Sequence, residues 1–417
     1  LNFTSPSPHI FHSVVTLLQT WPQNVFPNGH TIASVTIPRH TLLYHGRHDN
    51  DAVPSPEWLA FDNEMAYGIM GNMQDSRLLT YRTTRDVKAV YFDGASANLM
   101  GEGTMGQMVL LYNGSDNVPR RGGPGRGPPP GRWNPLEDEY FRARELCKWL
   151  RNHGLGGTGW GYEGIVRMNA GFELIWCDFE SPSLKMVSNL NVSAPLLDMP
   201  DSASLGQYPG AMSGQGQAQR RIGMQDEGPH GPGMTDPREP FRDASNWFWF
   251  LAAAKRYHGE SRIKLDACGI VSFYDSRLQN QSSARIQTDQ LTLNLTSDGK
   301  WEASSDKEHR DAGLQKLMKR RRQHTLNHVG KHDARLIHAE LEQSLKRNLM
   351  DRACDDVDWS YIAREIMTWY DRGLQDVQQQ LRVDIKRTGG GQQELREWLQ
   401  LTRALTHWFL LPFIEYP

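Results

Sequence analysis

The chain has 417 residues, 38% of them hydrophobic, and a formal net charge of −2. It is long enough for two domains with linkers, and it has no global field to recruit nucleic acid or an anionic membrane. A mean hydropathy of −0.61, with 38 Gly and 23 Pro, assigns much of the polarity to stretches that cannot pack, and no run of about 18 apolar residues is present to span a bilayer.

Residues 1–35 hold an apolar patch from Ile10 to Leu18 and then Pro22, Pro27, Asn28 and Gly29, the pattern of a docked arm. Strands are expected from about Ser34. The run Thr41 to Arg47 carries Tyr44-His45-Gly46 to a strand end, where Gly46 lets the backbone approach a ligand. Ser55-Pro56 marks a turn, and Asp62 or Asn63 caps a short helix carrying Glu64, Met65, Ala66 and Tyr67. Leu78–Thr83 and Val87–Phe92 read as strands, and Met108–Tyr112 as a further buried strand. A Gly/Pro/Arg-rich run near 114–133 is expected to be a disordered insertion.

Asn134 as N-cap, Pro135 at the first helical position and Glu137, Asp138 and Glu139 in the first turn predict a helix ending near Asn152-His153-Gly154. Ile165–Met168, Glu173–Cys177 and Leu184–Ser188 predict three more strands. Strands and helices without a βαβ rhythm point to an α+β fold. Residues 196–245 are rich in Gly, Pro and Ser and read as a linker. Residues 246–417 read as a helical domain with helices at Ala334–Leu349, Ser360–Leu381 and Glu394–Phe409 and a short β element at Leu291–Leu295.

Five stretches fit the N-glycosylation acceptor pattern, at Asn2, Asn113, Asn191, Asn280 and Asn294, and the expectation is a protein of the secretory pathway. Leu1-Asn2-Phe3-Thr4 has no basic start or apolar core, so the chain reads as a mature or trimmed form. Four cysteines then imply two disulfides. Among three connectivities, Cys147–Cys177 with Cys268–Cys354 keeps each bridge within one expected domain.

Three motifs in order carry a resemblance: Tyr44-His45-Gly46; Pro56-Glu57-Trp58-Leu59-Ala60-Phe61-Asp62 with Ala66 and Tyr67 following; and Gly164-Ile165-Val166-Arg167 ahead of Phe172-Glu173-Leu174-Ile175-Trp176-Cys177. Over roughly residues 36–195 the chain resembles the ADP-ribosyltransferase fold of the diphtheria-toxin and poly-ADP-ribose polymerase type, a split mixed sheet, and is similar to fungal secreted proteins with the same wording. The resemblance implies NAD as substrate, bound by Tyr44, His45, Gly46 and Tyr67, with His45 on the adenosine-side ribose, the backbone of Gly46 against the nicotinamide amide, Tyr67 stacked on the nicotinamide ring and Glu173 on its ribose. Breaking the N-glycosidic bond builds positive charge on the ribose, so a fixed carboxylate acts most strongly in the transition state.

The family's usual Gln or Glu two positions before the catalytic Glu is Gly171 here. That puts modification of a protein acceptor in doubt more than NAD cleavage, and it is equally the mark of a site whose activity is lost. A second reading is a non-catalytic secreted or cell-surface interaction protein with a degenerate nucleotide cleft. A third is a carbohydrate-active cell-wall enzyme, suggested by secretion and 13 Trp.

Other constellations are weaker. His45, His48, Asp49 and Asp51 match no metal spacing with a mechanism, and no metal is expected. Gly94-Ala95-Ser96-Ala97-Asn98 is not a nucleophile elbow. The basic run from Lys316 to Arg322 lacks the interleaved aromatics of a nucleic-acid site, and no nucleic acid is expected as partner.

Overall fold

A computed structural model describes residues 5–20, 28–70, 76–97, 102–118, 135–168, 171–192, 259–293, 312, 315–316, 323–352, 357–383 and 391–411. The chain divides into two compact units, Leu1–Ala353 and Cys354–Pro417. The Gly/Pro/Arg run from 119 onward, the 196–245 linker, Asn2, Asn294, Cys354, the Asn134 cap and most of the basic run lie outside the described residues.

The first unit is built on one mixed sheet. Helix α1 (Ser7–Val15) leads into β1 (Asn28–Ile37), β2 (Leu42–Arg47), β3 (Glu57–Ala60), α2 (Asn63–Met70), β4 (Arg77–Thr83) and β5 (Val87–Gly94). Then come α3 (Met105–Tyr112), α4 (Pro135–Asn152), β6 (Gly156–Gly157), β7 (Trp160–Met168), β8 (Phe172–Trp176), β9 (Leu184–Asn191), β10 (Lys264–Ser272), α5 (Gln279–Leu293) and α6 (Lys331–Leu349). The strand order is β10-β1-β5-β7-β8-β3-β2-β4-β9, with β6 on β7. Among the described residues, only β5 and β7 pair in parallel. The mixed α+β class is as expected, but the strands follow one continuous path rather than two halves.

That path curls. β4 and β5 stand far apart in the strand order, about 24 Å on a flat sheet, yet the link from Thr83 to Val87 spans at most about 14 Å. Thr83 Oγ1 therefore reaches the Pro38 carbonyl just after β1, donating to it at 2.7 Å. The concave face is filled by one apolar cluster, including Ala33, Val35, Leu43, Leu59, Leu79, Tyr81, Val166, Leu174 and Trp176. Alternate residues of the same strands, Ile32, Val90, Phe92, Ile165 and Ile175, pack on the other face against Val109 of α3, Leu146 and Leu150 of α4, and Ile337, Leu341 and Leu345 of α6. The period of two along each strand divides these cores.

Helix α4 ends as its sequence predicts. Leu155 N–H donates to the Leu150 carbonyl and Gly154 N–H to the Arg151 carbonyl, with Gly154 at φ +61°, a Schellman termination. Its Cys147 is bonded to Cys177 just after β8, as expected. Cys268 is also disulfide-bonded.

Three expectations change. Met108–Tyr112 is the end of helix α3, not a strand: a short apolar run has no decisive period, and Asn113 at φ 55° in the left-handed region caps it. The β element at Leu291–Leu295 is helical through Leu293. The expected 246–417 domain is divided, because β10 extends the sheet beside β1 and α5 and α6 belong with the first unit.

The second unit contains α7 (Trp359–Leu381) and α8 (Gln392–Leu410). Asp358 caps α7 by accepting the Tyr361 N–H at 2.7 Å. Trp398 Nε1 donates to the Gln380 carbonyl at 2.9 Å, and the Tyr370 and Phe409 rings meet edge to face at 6.1 Å. No helix among the described residues is long and apolar enough to cross a membrane.

Candidate functional site

Antiparallel register brings the separated motifs onto one sheet. Tyr44 of β2 stands opposite Ala60 of β3, Ala60 opposite Glu173 of β8, and Glu173 opposite Arg167 of β7. Directly opposed residues share a face, so Tyr44, Ala60, Glu173 and Arg167 form a row. Helix α2 covers its Tyr44 end, packing Met65 and Ala66 on Ala60 with Tyr44, Trp58 and Leu78 alongside. Asp62 caps that helix, accepting the Met65 N–H at 2.7 Å, as the sequence predicts.

His45 is one residue out of this row. It stands opposite Leu79 of β4, a residue of the concave core, so the strand period gives it the other pleat. Beyond the Tyr44–Ala60 pair its ring meets Trp58 edge-on at 4.5 Å. Burial first, and then the charge of Arg47, push its pKa down to about 3, against a hydrogen bond with the Trp58 backbone and the charge of Asp49. His45 is therefore a neutral imidazole, 3% exposed, and its Nδ1 has no hydrogen-bond partner. Gly46 continues the ladder opposite Leu78. Tyr67 is half-buried on α2, next to Ala66. The structure thus brings Tyr44 and Glu173 into one row, sets α2 over its Tyr44 end, and leaves His45 one residue out of that row by register, with its ring against Trp58.

Around Glu173 lies a buried charged network that the sequence reading missed. Arg167 Nε donates to Glu173 Oε1 at 2.8 Å, and its Nη2 pairs with both Glu173 and Glu139 of α4. Arg142, one turn along α4, pairs with the other Glu139 oxygen. Burial acts to lower the Arg167 pKa, but Glu139 and Glu173 outweigh it and leave the guanidinium above its ordinary value. Burial raises the Glu173 carboxyl, with the Arg167 charge pulling the other way.

Glu57, at the start of β3, stands opposite Trp176, three residues along from Ala60 and so out of the row, but its carboxyl reaches the helix whose Glu139 holds Arg167. It accepts the Tyr140 hydroxyl of α4 at 3.2 Å and its own strand's Trp58 N–H at 3.0 Å. Burial lifts its carboxyl to about 7; the Trp58 N–H, the Tyr140 hydroxyl and the Arg47 charge restrain that lift, and the Glu173 charge adds to it. Two carboxyl groups from neighbouring strands therefore feel one another in a place largely closed to water. The sequence signals were charged residues inside apolar strands, Glu57 opening Trp58-Leu59-Ala60-Phe61 and Arg167 closing Ile165-Val166.

A cleft of about 920 Å³ lies elsewhere, with Pro56, Arg151, Glu163, Asp178 and Phe179 among its lining and the Cys147–Cys177 bridge in its wall. Glu163 there is already engaged by Arg85, the Gly159 N–H and the Ser181 hydroxyl. None of His45, Tyr67 and Glu173 lines it.

The family described as the YPL277C N-terminal domain matches residues 69–299, more than half of the 417 residues. The chain belongs to the YPL277C N-terminal domain family. The matched stretch holds Glu139, Tyr140, Arg142, Arg167 and Glu173, while the strands with His45 and Glu57 precede it. Similar relatives of this YPL277C-type chain are two Saccharomyces cerevisiae proteins described as uncharacterized, YOR389W and YPL277C. Each is 28% identical over 45% of this chain, and the alignments cover 34% and 44% of the two relatives. The chain thus spans less than half the length of the curated relatives it matches. No solved structure matches it.

Proposed function

We propose that this protein breaks a glycosyl bond of a nucleotide, NAD first among them, at the row formed by Tyr44, Ala60 and Glu173. The observation that carries the reading is the pair of buried acids, Glu173 held by Arg167 and Glu57 held near pKa 7 beside Tyr140. Environments that set two carboxyl groups at different tasks are how one site supplies both electrostatic stabilisation and acid–base chemistry.

In the proposed reaction the C1′–N bond breaks with its electron pair leaving on nicotinamide, which departs neutral and needs no proton. Glu173 carries the negative charge that stabilises the cationic ribose. Water, or an acceptor hydroxyl, forms the new bond at C1′, and Glu57 in its ionised form takes the proton released. Tyr67, on the helix covering the row, supports the aromatic stacking that the resemblance implies. His45, neutral and buried, fits a hydrogen-bonding or packing role and not that of a cation.

The test is incubation of the purified chain with NAD, with nicotinamide release followed by chromatography. Release by the wild type that falls in Glu173→Gln and in Glu57→Gln supports the reading. A folded wild type that gives neither release nor an NAD-dependent rise in melting temperature overturns it.

The secretory location is part of the same proposal. The three acceptor asparagines among the described residues, Asn113, Asn191 and Asn280, are all exposed, as an attached glycan requires, and the Cys147–Cys177 bridge fits an oxidising compartment. A gel shift of the protein from its native host on endoglycosidase treatment is the expected result; no shift removes the argument from the acceptor sites.

A further inference from the structure

A second set of ligating side chains converges far from the glutamate network. His9 on α1, Asp289 on α5 and His324 ahead of α6 are all buried, and each offers a ligand atom within 4.8 Å of the other two. His324 Nε2 lies 2.9 Å from Asp289 Oδ1, while its Nδ1 lies 3.3 Å from the Tyr274 hydroxyl. The His9 ring is 4.2 Å from that of His324 and stacks on Tyr274 at 5.0 Å.

We propose that His9, Asp289 and His324 bind one divalent transition-metal ion, zinc as the leading occupant, and that Tyr274 orients His324 from behind. Two imidazoles and a carboxylate are the donor set of zinc and its first-row neighbours; calcium and magnesium require more oxygen ligands than this site offers. A histidine ligand characteristically uses its second ring nitrogen to hold a fixed partner, and Tyr274 stands at that nitrogen. The Asp289 carboxylate neutralises part of the ion's charge. Arg285 stands behind the cluster, its guanidinium over the Tyr274 ring at 4.9 Å and bonded to the Phe273 carbonyl. Because the ligands come from three separated stretches, the ion would fasten α1 and the segment before α6 to α5. Three protein ligands leave a further position for water.

The full chain, stripped with a chelator and dialysed against zinc(II) or cobalt(II) alone, tests this. The expected result is one ion per chain, a cobalt(II) visible band of tetrahedral character, and a melting temperature that rises with metal and falls again with chelator. His9→Gln and Asp289→Asn should lose the band. Tyr274→Phe should keep it with affinity lowered about 10–100-fold, and His48→Gln, on an unrelated loop, should leave it unchanged. A wild type that binds less than one ion, or a band lost in His48→Gln and retained in folded His9→Gln, overturns the proposal. If the ligand variants fail to fold, the wild-type stoichiometry, cobalt spectrum and melting shift decide it.

Discussion

Arg167 and Glu173 face one another across β7 and β8 with Nε 2.8 Å from Oε1, both almost fully buried. Arg167 also holds Glu139, so its removal leaves Glu173 uncompensated in a low-dielectric place and Glu139 with Arg142 alone. Arg167→Met should therefore destabilise the chain by about 3–5 kcal/mol in denaturant titrations. Glu173→Gln, isosteric and still able to accept from Arg167, should cost far less stability while lowering nicotinamide release by about 10²–10³-fold. Equal losses of stability in the two variants would count against an active role for Glu173.

Stability should vary with pH in two opposing ways. His45 is held at about 3 against an ordinary 6.5, so the unfolded chain binds the extra proton and stability present above pH 6.5 is lost as pH falls toward 3. Glu57 is raised to about 7 from 4.5 and Asp62 to about 6 from 3.8; the folded chain holds these protons, so stability present at low pH is lost as pH rises through 6 to 7. Upper limits are about 5 kcal/mol for His45 and about 3 kcal/mol for Glu57. Denaturation midpoints measured from pH 4 to 8 should show His45→Gln losing the acid-side decline and Glu57→Gln losing part of the neutral-side one.

The same Glu57 titration sets the expected rate profile. As a base it works when ionised, so wild-type nicotinamide release should climb as pH rises through about 7. A profile that falls over that interval would assign Glu57 the role of an acid and point to a leaving group that needs a proton.

Under the proposed function, Gly171 would correspond to the position where the resembled family carries Gln or Glu. A Cβ built there meets Asp62 Oδ2 at 2.7 Å and Met65 Sδ at 3.4 Å, and Asp62 is the cap of α2. Gly171→Gln should therefore displace the cap and destabilise the chain by about 1–3 kcal/mol, with no gain of protein modification. A stable Gly171→Gln variant that modifies a protein acceptor would show that the cap yields.

The Cys147–Cys177 bridge closes a loop with sequence separation 30, so Cys147→Ser with Cys177→Ser should lower stability by about 3–4 kcal/mol. Thermal unfolding with and without reductant checks this: reduction should cost the wild type more stability than the double variant, which keeps the bridge of Cys268.

Much of the first unit was legible from local chemistry. Pro135 and Gly154 bracket α4, the apolar runs of β4, β5, β7 and β8, rich in aromatic and β-branched residues, give strands, and Asp62 caps α2, because each signal concerns a few neighbouring residues. Met108–Tyr112 was misread because five apolar residues specify burial and not period. The membership of β10, α5 and α6 was hidden by the long Gly/Pro-rich stretch before them, since composition marks a linker but says nothing of which core its far end rejoins.

The sequence by itself determined the elements that carry the candidate residues: Tyr44-His45-Gly46 on a strand, Tyr67 on the following helix, Glu173 on a later strand. Only the tertiary structure decided their company. Cross-strand register, set by which faces bury their apolar residues, lines Tyr44 up with Glu173 through Ala60 and turns His45 to the other pleat. Long-range packing of α4 adds Glu139, Tyr140 and Arg142 to the row. The same long-range packing gathers His9, Asp289 and His324 into one cluster, which no spacing along the chain could announce.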